Sequence, residues 1–581
     1  MARISLTRPA WASRARLEVT GTVILVAAAL RYWLLYFNRS TNLLDEGSQA
    51  AQALRVLHGD LIYRDFFTVV TPGSYYTVAW LFRLFGAELM VMRWAVLIIG
   101  IAILLCALVT ARRLMPWPFA AAAALMTTVW GWFLVAPNFY SWQAALGSLV
   151  ALVCYLQWAG GARASWLAWA GIASGLTVLV KQNVGVYTTV ALLLAIWLSA
   201  VFDAGVDVRG RVRASAKFIG CVLVPIAPVL AMLAAAGAGP YLYESWVYYP
   251  LVRYSQRFAV AYPPFYPVLP GAQLSTLQDV IPAWFAGRIP EPMVYDLYTK
   301  LVIYLPVAVY PLAFAAVAWL AVRFRRGATE AGRHGHALLA VTLVGLLTLL
   351  QAFPRADVTH ILFGLQPTFI LFAYLSFGAW RALSQLPGPG WLVAGVGLLV
   401  TLTPQAVLLW NGYLRTDWEY QNYIVALKVD RGTGIFASGL EAERINKMTQ
   451  FVIANTAPDD HVFVVPWASG FNFLTDRSNP TRADFMLFED PESYPCILSR
   501  LEQSPPKYVI YGYAWDVDNR RFRDYARPID EYIRSRYVLE DSVDGYEAWK
   551  RIERSNTRTP EWPQACQPRR FRLSDFLGPA V

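Results

Sequence analysis

Charged residues are scarce in this chain. They make up 15% of its 581 residues, whereas hydrophobic residues make up 57%, and the mean hydropathy is +0.39. Apolar runs of about 18 residues, long enough for a helix to cross the hydrocarbon core of a bilayer, recur from end to end. This composition excludes an ordinary soluble fold and predicts a polytopic α-helical membrane protein.

Cysteine and histidine are scarce as well, with five of each. The sequence contains no CxxC pair, HExxH motif, Walker loop or usable Ser/His/Asp spacing, so it gives no support for the common zinc, nucleotide or hydrolase sites. Cys106, Cys154 and Cys221 lie in or beside apolar runs, where a packing role is expected. Cys496 and Cys566 lie in the polar C-terminal part, and their spacing leaves open whether they form a disulfide.

Eleven apolar segments are expected to be transmembrane helices. They are residues 17–37, 89–109, 117–136, 142–158, 166–180, 184–202, 218–236, 301–322, 337–353, 361–377 and 391–410. The first segment is followed by bulky residues rather than a small-residue cleavage site, so we expect it to remain as an anchor. Segment 74–85 is too short to cross, and we expect a helix that lies at the interface or enters the membrane partway.

Arginine clusters indicate the topology. With the N-terminus inside, the clusters at 112–113, 209–213 and 323–333 fall in inside connections, as the positive-inside rule requires. The net charge of +11 therefore reflects membrane topology, and nucleic acid is not expected as a partner. We expect an integral protein of the plasma (inner) membrane.

The chain changes character after residue 410. From 411 to 581 no run is long enough to span, and strand-like patches at 461–467 and 507–513 alternate with helix-like segments. This pattern predicts a small α/β domain, which an odd number of spans places outside the cytoplasm. The predicted organisation is a transmembrane domain at 1–410 and an extracytoplasmic α/β domain at 411–581.

Three outside connections carry ionisable or amide side chains close to hydrocarbon, where desolvating them is costly. They are the first loop, 38–73, with Asp45, Glu46, Arg64 and Asp65; the short connection with Lys181 and Gln182; and the segment with Arg355 and His360. Each connection alone is open to a simpler interpretation, as a wet loop, a helix cap or a snorkelling end. All three connections are expected at the same face of the membrane, which favours a functional site there.

The first loop also carries a family resemblance. It has an adjacent acid pair at 45–46, then GDLIYRDF at 59–66, TPGSYYTVAWLFRLFG at 71–86 and an arginine at 93. This order resembles the membrane glycosyltransferases of the GT-C fold, and more closely the bacterial superfamily of protein O-mannosyltransferases and aminoarabinose transferases (glycosyltransferase family 39-like). Many relatives carry Lys-Pro-Pro where this chain has Thr71-Pro72-Gly73.

The resemblance implies transfer of a sugar from a polyprenyl-phosphate-linked donor, in contact with membrane lipid, to an acceptor lipid, glycan or protein on the outer face. It places Asp45 at the position of the family's catalytic carboxylate. Such a transfer needs a base for the acceptor hydroxyl and cations for the phosphate leaving group. The expected substrate-binding residues are Glu46, Arg64, Asp65, Lys181, Gln182, Arg355 and His360. No cofactor is established by the sequence, and the adjacent acids leave open a divalent cation near Asp45 and Glu46.

Two other classes of function stay open. A transporter or flippase of a lipid-linked saccharide would predict charged residues near the middle of spans and an internal two-fold repeat. The spans here are nearly free of charge at their centres, and no repeat is visible, which favours the enzyme. A receptor or assembly protein that uses the C-terminal domain has no specific residue in its favour.

The topology is testable with fusions to a reporter that is active only outside the cytoplasm. A fusion after Trp410 should be active and a fusion after Arg326 silent, because of the number of spans and the arginine clusters between them. The opposite pattern would place the candidate site residues on the cytoplasmic face and contradict this topology.

Overall fold

The computed structural model describes residues 10–131, 139–202, 205, 207–263, 291–513 and 520–552. Its N-terminal part is a bundle of long apolar helices joined by shorter ones. The helices are α1 (Ala10–Leu34), α2 (Asp45–Leu57), α3 (Gly73–Phe85), α4 (Leu89–Arg112), α5 (Trp117–Gly131), α6 (Phe139–Ala159), α7 (Ser165–Val180), α8 (Gln182–Leu198), α9 (Val208–Ala235), α10 (Gly239–Tyr243), α11 (Tyr254–Phe258), α12 (Glu291–Arg325), α13 (Thr329–Leu349), α14 (Val358–Leu362), α15 (Gln366–Leu383) and α16 (Gly390–Tyr420).

The long helices coincide with the predicted spans. Among the described residues, eight helices are long and apolar enough to cross a membrane, while α5 and α7 are apolar but shorter. The prediction for 361–377 is wrong at its start, because the chain forms the short helix α14 there and begins the long helix α15 only at Gln366. Pro367 lies in the first turn of α15, where its missing N–H costs nothing.

The predicted short helix after the first loop is confirmed as α3, with 13 residues. It leaves Trp80, Leu84 and Phe85 exposed, an apolar surface that suits a helix lying at a membrane interface. At its start, a Cβ on Gly73 would lie 2.7 Å from the carbonyl oxygen of Leu179. Glycine at this position therefore lets the end of the first loop pack directly on α7.

The C-terminal part is an α/β domain, as predicted. Its elements are β1 (Val425–Ala426), β2 (Phe436–Ala437), α17 (Gly439–Asn455), β3 (Val462–Val465), α18 (Gly470–Thr475), α19 (Tyr494–Gln503), β4 (Tyr508–Gly512), α20 (Phe522–Tyr525), α21 (Arg527–Arg536), β5 (Tyr537–Val543) and β6 (Tyr546–Arg551). The main sheet has the order β3-β4-β6-β5, with β3 parallel to β4 and the other pairs antiparallel. The strands β3 and β4 are buried along their whole length, which explains their continuous apolar runs.

Two predictions about this part of the chain are not settled. Helix α16 continues to Tyr420, past the predicted boundary at 410, and the division of the chain at that point stays a prediction. The pairing of Cys496 with Cys566 lies outside the described residues, because residue 566 does.

The C-terminal domain packs on the first loop through a close approach of two glycines. A Cβ on Gly47 would lie 2.6 Å from the Cα of Gly470, so the start of α2 contacts the start of α18 at backbone distance. The backbone N–H of Phe436 donates to the carbonyl of Asn38 at 2.9 Å. The guanidinium of Arg55 donates to the Asp484 carboxylate at 3.0 Å. The first loop is therefore held between the helix bundle and the C-terminal domain.

A buried ion pair fixes the first loop on its membrane side. Arg93, near the start of α4, binds both carboxylate oxygens of Glu46, and the two side chains are 1% and 2% exposed. Its remaining N–H groups donate to the backbone carbonyls of Phe37, Arg39 and Ser40. All five donors of the guanidinium are thus used, which is the condition under which a buried arginine is tolerated. The ion pair sets where α2 begins.

Replacing Glu46 with Gln should destabilise the fold. The amide keeps the size of the side chain but leaves the buried charge of Arg93 uncompensated, which costs about 3 to 5 kcal/mol. The expected result is a lower midpoint of thermal unfolding for the purified protein in detergent. Glu88→Gln is the matched control, because Glu88 is exposed and its change should stay within about 0.5 kcal/mol. Equal midpoints for both variants would contradict a structural role for the pair.

Candidate functional site

A cavity of about 440 Å³ lies where α2, the α7–α8 junction, the segment before α14 and the C-terminal domain meet. Five of the predicted site residues line it: Asp45, Lys181, Gln182, Arg355 and His360. They come from three separate connections of the chain. The rest of the wall is largely apolar and aromatic, and it includes Leu251, Tyr254, Phe485 and Phe488.

Asp45 is the first residue of α2 and supplies a carboxylate to the cavity. The side chain of Asn42 accepts from the backbone N–H of Asp45 at 2.8 Å and donates to its Oδ2 at 3.3 Å. Burial raises the pKa of Asp45, while the hydrogen bond from Asn42 and the charges of His360 and Arg355 oppose that rise. A carboxylate with a raised pKa accepts a proton more readily, which suits a general base.

Lys181 places a partly buried ammonium group in the same cavity. It is the single extended residue between α7 and α8. Its Nζ donates to Ser141 Oγ at 3.0 Å and to Gln351 Oε1 at 3.3 Å. It also lies 5.6 Å and 5.3 Å from the ring centres of Tyr140 and Phe363. No carboxylate in the described part of the chain forms an ion pair with it, and burial lowers its pKa to about 8.

The neighbouring Gln182 links the α7–α8 junction to the first loop, because its Nε2 donates to the carbonyl of Val69 at 2.7 Å. Gln49, one turn along α2 from Asp45, also lines the cavity. Its Nε2 donates to Ser74 Oγ at 2.6 Å, and its Oε1 accepts no hydrogen bond from the described residues. Amide groups of this kind are suited to the hydroxyl groups of a polar ligand.

Arg355 and His360 enter the cavity from the segment that leads into α14. Both are bound by Asp357, at 2.8 Å from Arg355 Nε and 2.7 Å from His360 Nδ1. Burial raises the pKa of Asp357, but the hydrogen bonds from His360 and the charge of Arg355 outweigh it, and the net pKa is lowered. Asp357 is therefore a carboxylate at neutral pH.

Three predicted site residues lie elsewhere. Glu46 points away from the cavity to Arg93, because consecutive helix residues point in directions about 100° apart. Arg64 and Asp65 bind each other at 2.7 Å on an exposed part of the loop. Asp45 and Glu46 thus do not converge on one cation, and among the described residues no group of three or more His, Cys, Asp or Glu side chains could hold a metal ion.

Sequence reasoning did not assign a role to several residues in the cavity wall or directly behind it. Asp357 lies between two predicted site residues, and only its contacts reveal that it joins them. Ser141 and Gln351, the partners of Lys181, are ordinary polar residues at the ends of apolar segments. Phe485 and Phe488 belong to the C-terminal domain, and no local pattern connects them with a membrane site.

No family model matches the chain, and no curated protein matches it by sequence. Solved structures do match it. The apo structure of ArnT from Cupriavidus metallidurans has a TM-score of 0.54 at 14% identity, covering 92% of this chain and 98% of that one; its undecaprenyl-phosphate complex has a TM-score of 0.51. The archaeal oligosaccharyltransferase AglB from Archaeoglobus fulgidus, in complex with an inhibitory peptide and a dolichol-phosphate, has a TM-score of 0.51 at 12% identity, covering 93% of this chain and 75% of that one.

This chain has the GT-C fold. The predicted fold class is therefore confirmed over more than nine tenths of its length. At 12% to 14% sequence identity, the similarity to these structures shows the fold alone. The roles of individual residues are therefore argued from the geometry of the cavity.

The charge of the Lys181 ammonium, and with it any binding of an anion in the cavity, should depend on pH. Because its pKa is about 8, the positive charge is complete at lower pH and is lost as the pH rises through that value. Binding of a lipid-linked phosphate, the donor class expected from the sequence, to the purified protein in nanodiscs should therefore weaken between pH 7 and pH 9.5. Lys181→Arg should keep its charge and bind across this range, because arginine titrates above pH 12. Wild-type binding that does not change over this range would contradict the assignment.

Proposed function

We propose that this chain is an integral-membrane glycosyltransferase that moves a sugar from a polyprenyl-phosphate-linked donor to an acceptor hydroxyl outside the cytoplasm. One observation carries the proposal: a partly buried lysine without a carboxylate partner in the described chain shares a cavity with a carboxylate of raised pKa. A buried cation is costly unless something compensates it. An anionic ligand would do so.

The two solved relatives support the choice of that anion. One structure has undecaprenyl phosphate bound and the other is a complex with a dolichol-phosphate, and both ligands are phosphates of long isoprenoid chains. A cavity of about 440 Å³ suits a phosphate and a sugar, and the long hydrocarbon tail would remain in the bilayer. The aromatic wall around Tyr254, Phe485 and Phe488 offers apolar surface to the sugar or to the first isoprene units.

The proposed reaction is a single displacement. The acceptor hydroxyl oxygen attacks the anomeric carbon and gives its proton to Asp45. The bond between the anomeric carbon and the phosphate oxygen breaks, and the electron pair leaves with the phosphate, whose charge rises from one negative unit to two. Lys181 and Arg355 stabilise this growing charge, Lys181 as a point charge and Arg355 through its planar fork. Gln49 and Gln182 would bind sugar hydroxyls.

The proposal gives the remaining predicted residues different roles. We assign Glu46 to the buried pair with Arg93, where it positions the backbone that carries Asp45. Arg64 and Asp65 pair with each other at the exposed end of the loop, apart from the cavity lining. The acceptor is a lipid, a glycan or a protein hydroxyl, and comparing the envelope glycans and glycolipids of cells with and without the gene by mass spectrometry would identify it.

Asp45→Asn should abolish transfer in a folded, membrane-inserted protein. The amide can still accept the hydrogen bond from Asn42, but it cannot take a proton, and loss of general base catalysis costs about 100- to 10,000-fold. The readout is the glycan or glycolipid product in cells that express each variant, together with polyprenyl phosphate released in membranes.

Asp476→Asn is a matched control for the Asp45 variant. Asp476 lies in the C-terminal domain with its side chain half exposed, paired with Arg431, and its left-handed backbone conformation (φ 53°) suits asparagine. This variant should transfer sugar at the wild-type level. Near-normal transfer by Asp45→Asn would refute Asp45 as the base.

A further inference from the structure

Asp357 is a carboxylate that stands behind the cavity and not in its wall. Arg355 and His360 line the cavity, whereas Asp357 does not. Its Oδ2 accepts from Arg355 Nε at 2.8 Å. Its Oδ1 lies 2.7 Å from His360 Nδ1 and accepts from the backbone N–H of His360 at 3.0 Å. One carboxylate thus contacts both basic residues that this segment contributes to the cavity.

This arrangement sets which nitrogen of His360 is available to a ligand. With Nδ1 bound to a carboxylate, Nδ1 carries the hydrogen. The other nitrogen, Nε2, has no hydrogen-bond partner among the described residues. The imidazole ring is further held by edge-on packing against Phe363, with 6.3 Å between ring centres. The ring of His360 is therefore held in one orientation, and the side chain lines the cavity.

The backbone of the segment is fixed as well. The N–H of Val260 donates to the carbonyl of Pro354, and the N–H of Ala356 donates to the carbonyl of Val260, both at 3.0 Å. This bridge pairs the segment with the chain that follows α11. Arg355 lies between the two bonded positions, so its Cα cannot shift without breaking them.

Charged groups of both signs surround His360. Asp357 lies on its own segment, and Asp45 faces it from α2, while Arg355 and the ammonium of Lys181 are the positive groups of the same cavity. Two carboxylates thus face the imidazole. A protonated imidazole would donate from Nε2, and a phosphate oxygen is the acceptor that this chemistry fits.

We propose that Asp357 is a positioning residue that holds Arg355 and His360 as a joined pair of donors for the phosphate leaving group. The inference rests on the proposed function. When the bond from the anomeric carbon to the phosphate oxygen breaks, the electron pair moves to the phosphate, and the Nε2–H of His360 and the guanidinium of Arg355 stabilise the added charge. No proton is transferred in this contact, and the proton of the acceptor goes to Asp45.

The simpler interpretation is that Asp357 only caps the five-residue helix α14, whose first turn it binds. Replacing Asp357 with asparagine distinguishes the two roles, because asparagine caps helices as well as aspartate does but carries no charge. In Asp357→Asn the fold is therefore expected to be intact, while the imidazole of His360 and the guanidinium of Arg355 both lose their carboxylate partner.

The test measures steady-state transfer from an undecaprenyl-phosphate-linked sugar by the full-length protein in nanodiscs. For Asp357→Asn we expect kcat to fall about ten- to a hundredfold with little change in the KM for the donor, because the lost interaction is made mainly as charge builds in the transition state. His360→Gln should lose a similar factor. The double variant Asp357→Asn/His360→Gln should lose less than the product of the two single losses, because part of the effect of Asp357 acts through His360 and the rest through Arg355.

Asp207→Asn is the matched control, because Asp207 caps α9 in the same way, accepting from the N–H of Gly210 at 2.7 Å.

A wild-type kcat for Asp357→Asn, or losses that multiply in the double variant, would overturn the positioning role. A fall in thermal stability of Asp357→Asn with unchanged kcat would also overturn it in favour of a cap. If the wild-type protein transfers no sugar from the polyprenyl-phosphate-linked donor, the proposed function fails; if the wild-type protein transfers sugar and Asp357→Asn is not impaired, only this inference fails.

Discussion

The buried guanidinium of Arg93 is the constraint on which the site depends. A charge that is 1% exposed must be paired and fully hydrogen bonded, and Arg93 meets this with both oxygens of Glu46 and three backbone carbonyls. Those carbonyls belong to the first turn of the loop after α1. The pair thus determines the path of the chain into α2, and the neighbouring Asp45, about 100° away around the helix, lines the cavity.

Adjacent acids in a loop are often interpreted as a joint site, but here burial separates them. Glu46 neutralises a cation of the helix bundle, whereas Asp45 keeps one oxygen bound to Asn42 and remains in the cavity wall. The two carboxylates have different environments and therefore different chemistry. Burying a charge in a low-dielectric interior costs free energy. Glu46 is therefore restricted by its pair with Arg93, and Asp45 by its place in the cavity wall.

The C-terminal domain contributes part of the cavity wall. It packs on α2 through Gly47 and Gly470 and binds Arg55 through Asp484, so that Phe485 and Phe488 close one side of the cavity. The site is thus enclosed by groups more than four hundred residues apart in the chain. Enclosure removes water and strengthens the interaction of Lys181 with any anion that enters.

The sequence by itself determined the class of the protein and most of its helices, because a run of apolar residues in a bilayer has few alternatives to a spanning helix. It also determined that Asp45, Lys181 and His360 lie at one face, since arginine clusters orient the spans. Only the tertiary structure decided which of the predicted site residues lie together in one cavity. The direction of Glu46, the mutual pairing of Arg64 and Asp65 and the position of Asp357 behind two basic residues depend on contacts between segments far apart in the chain. Local sequence patterns do not predict such contacts, because packing and desolvation act on whichever groups the fold brings together.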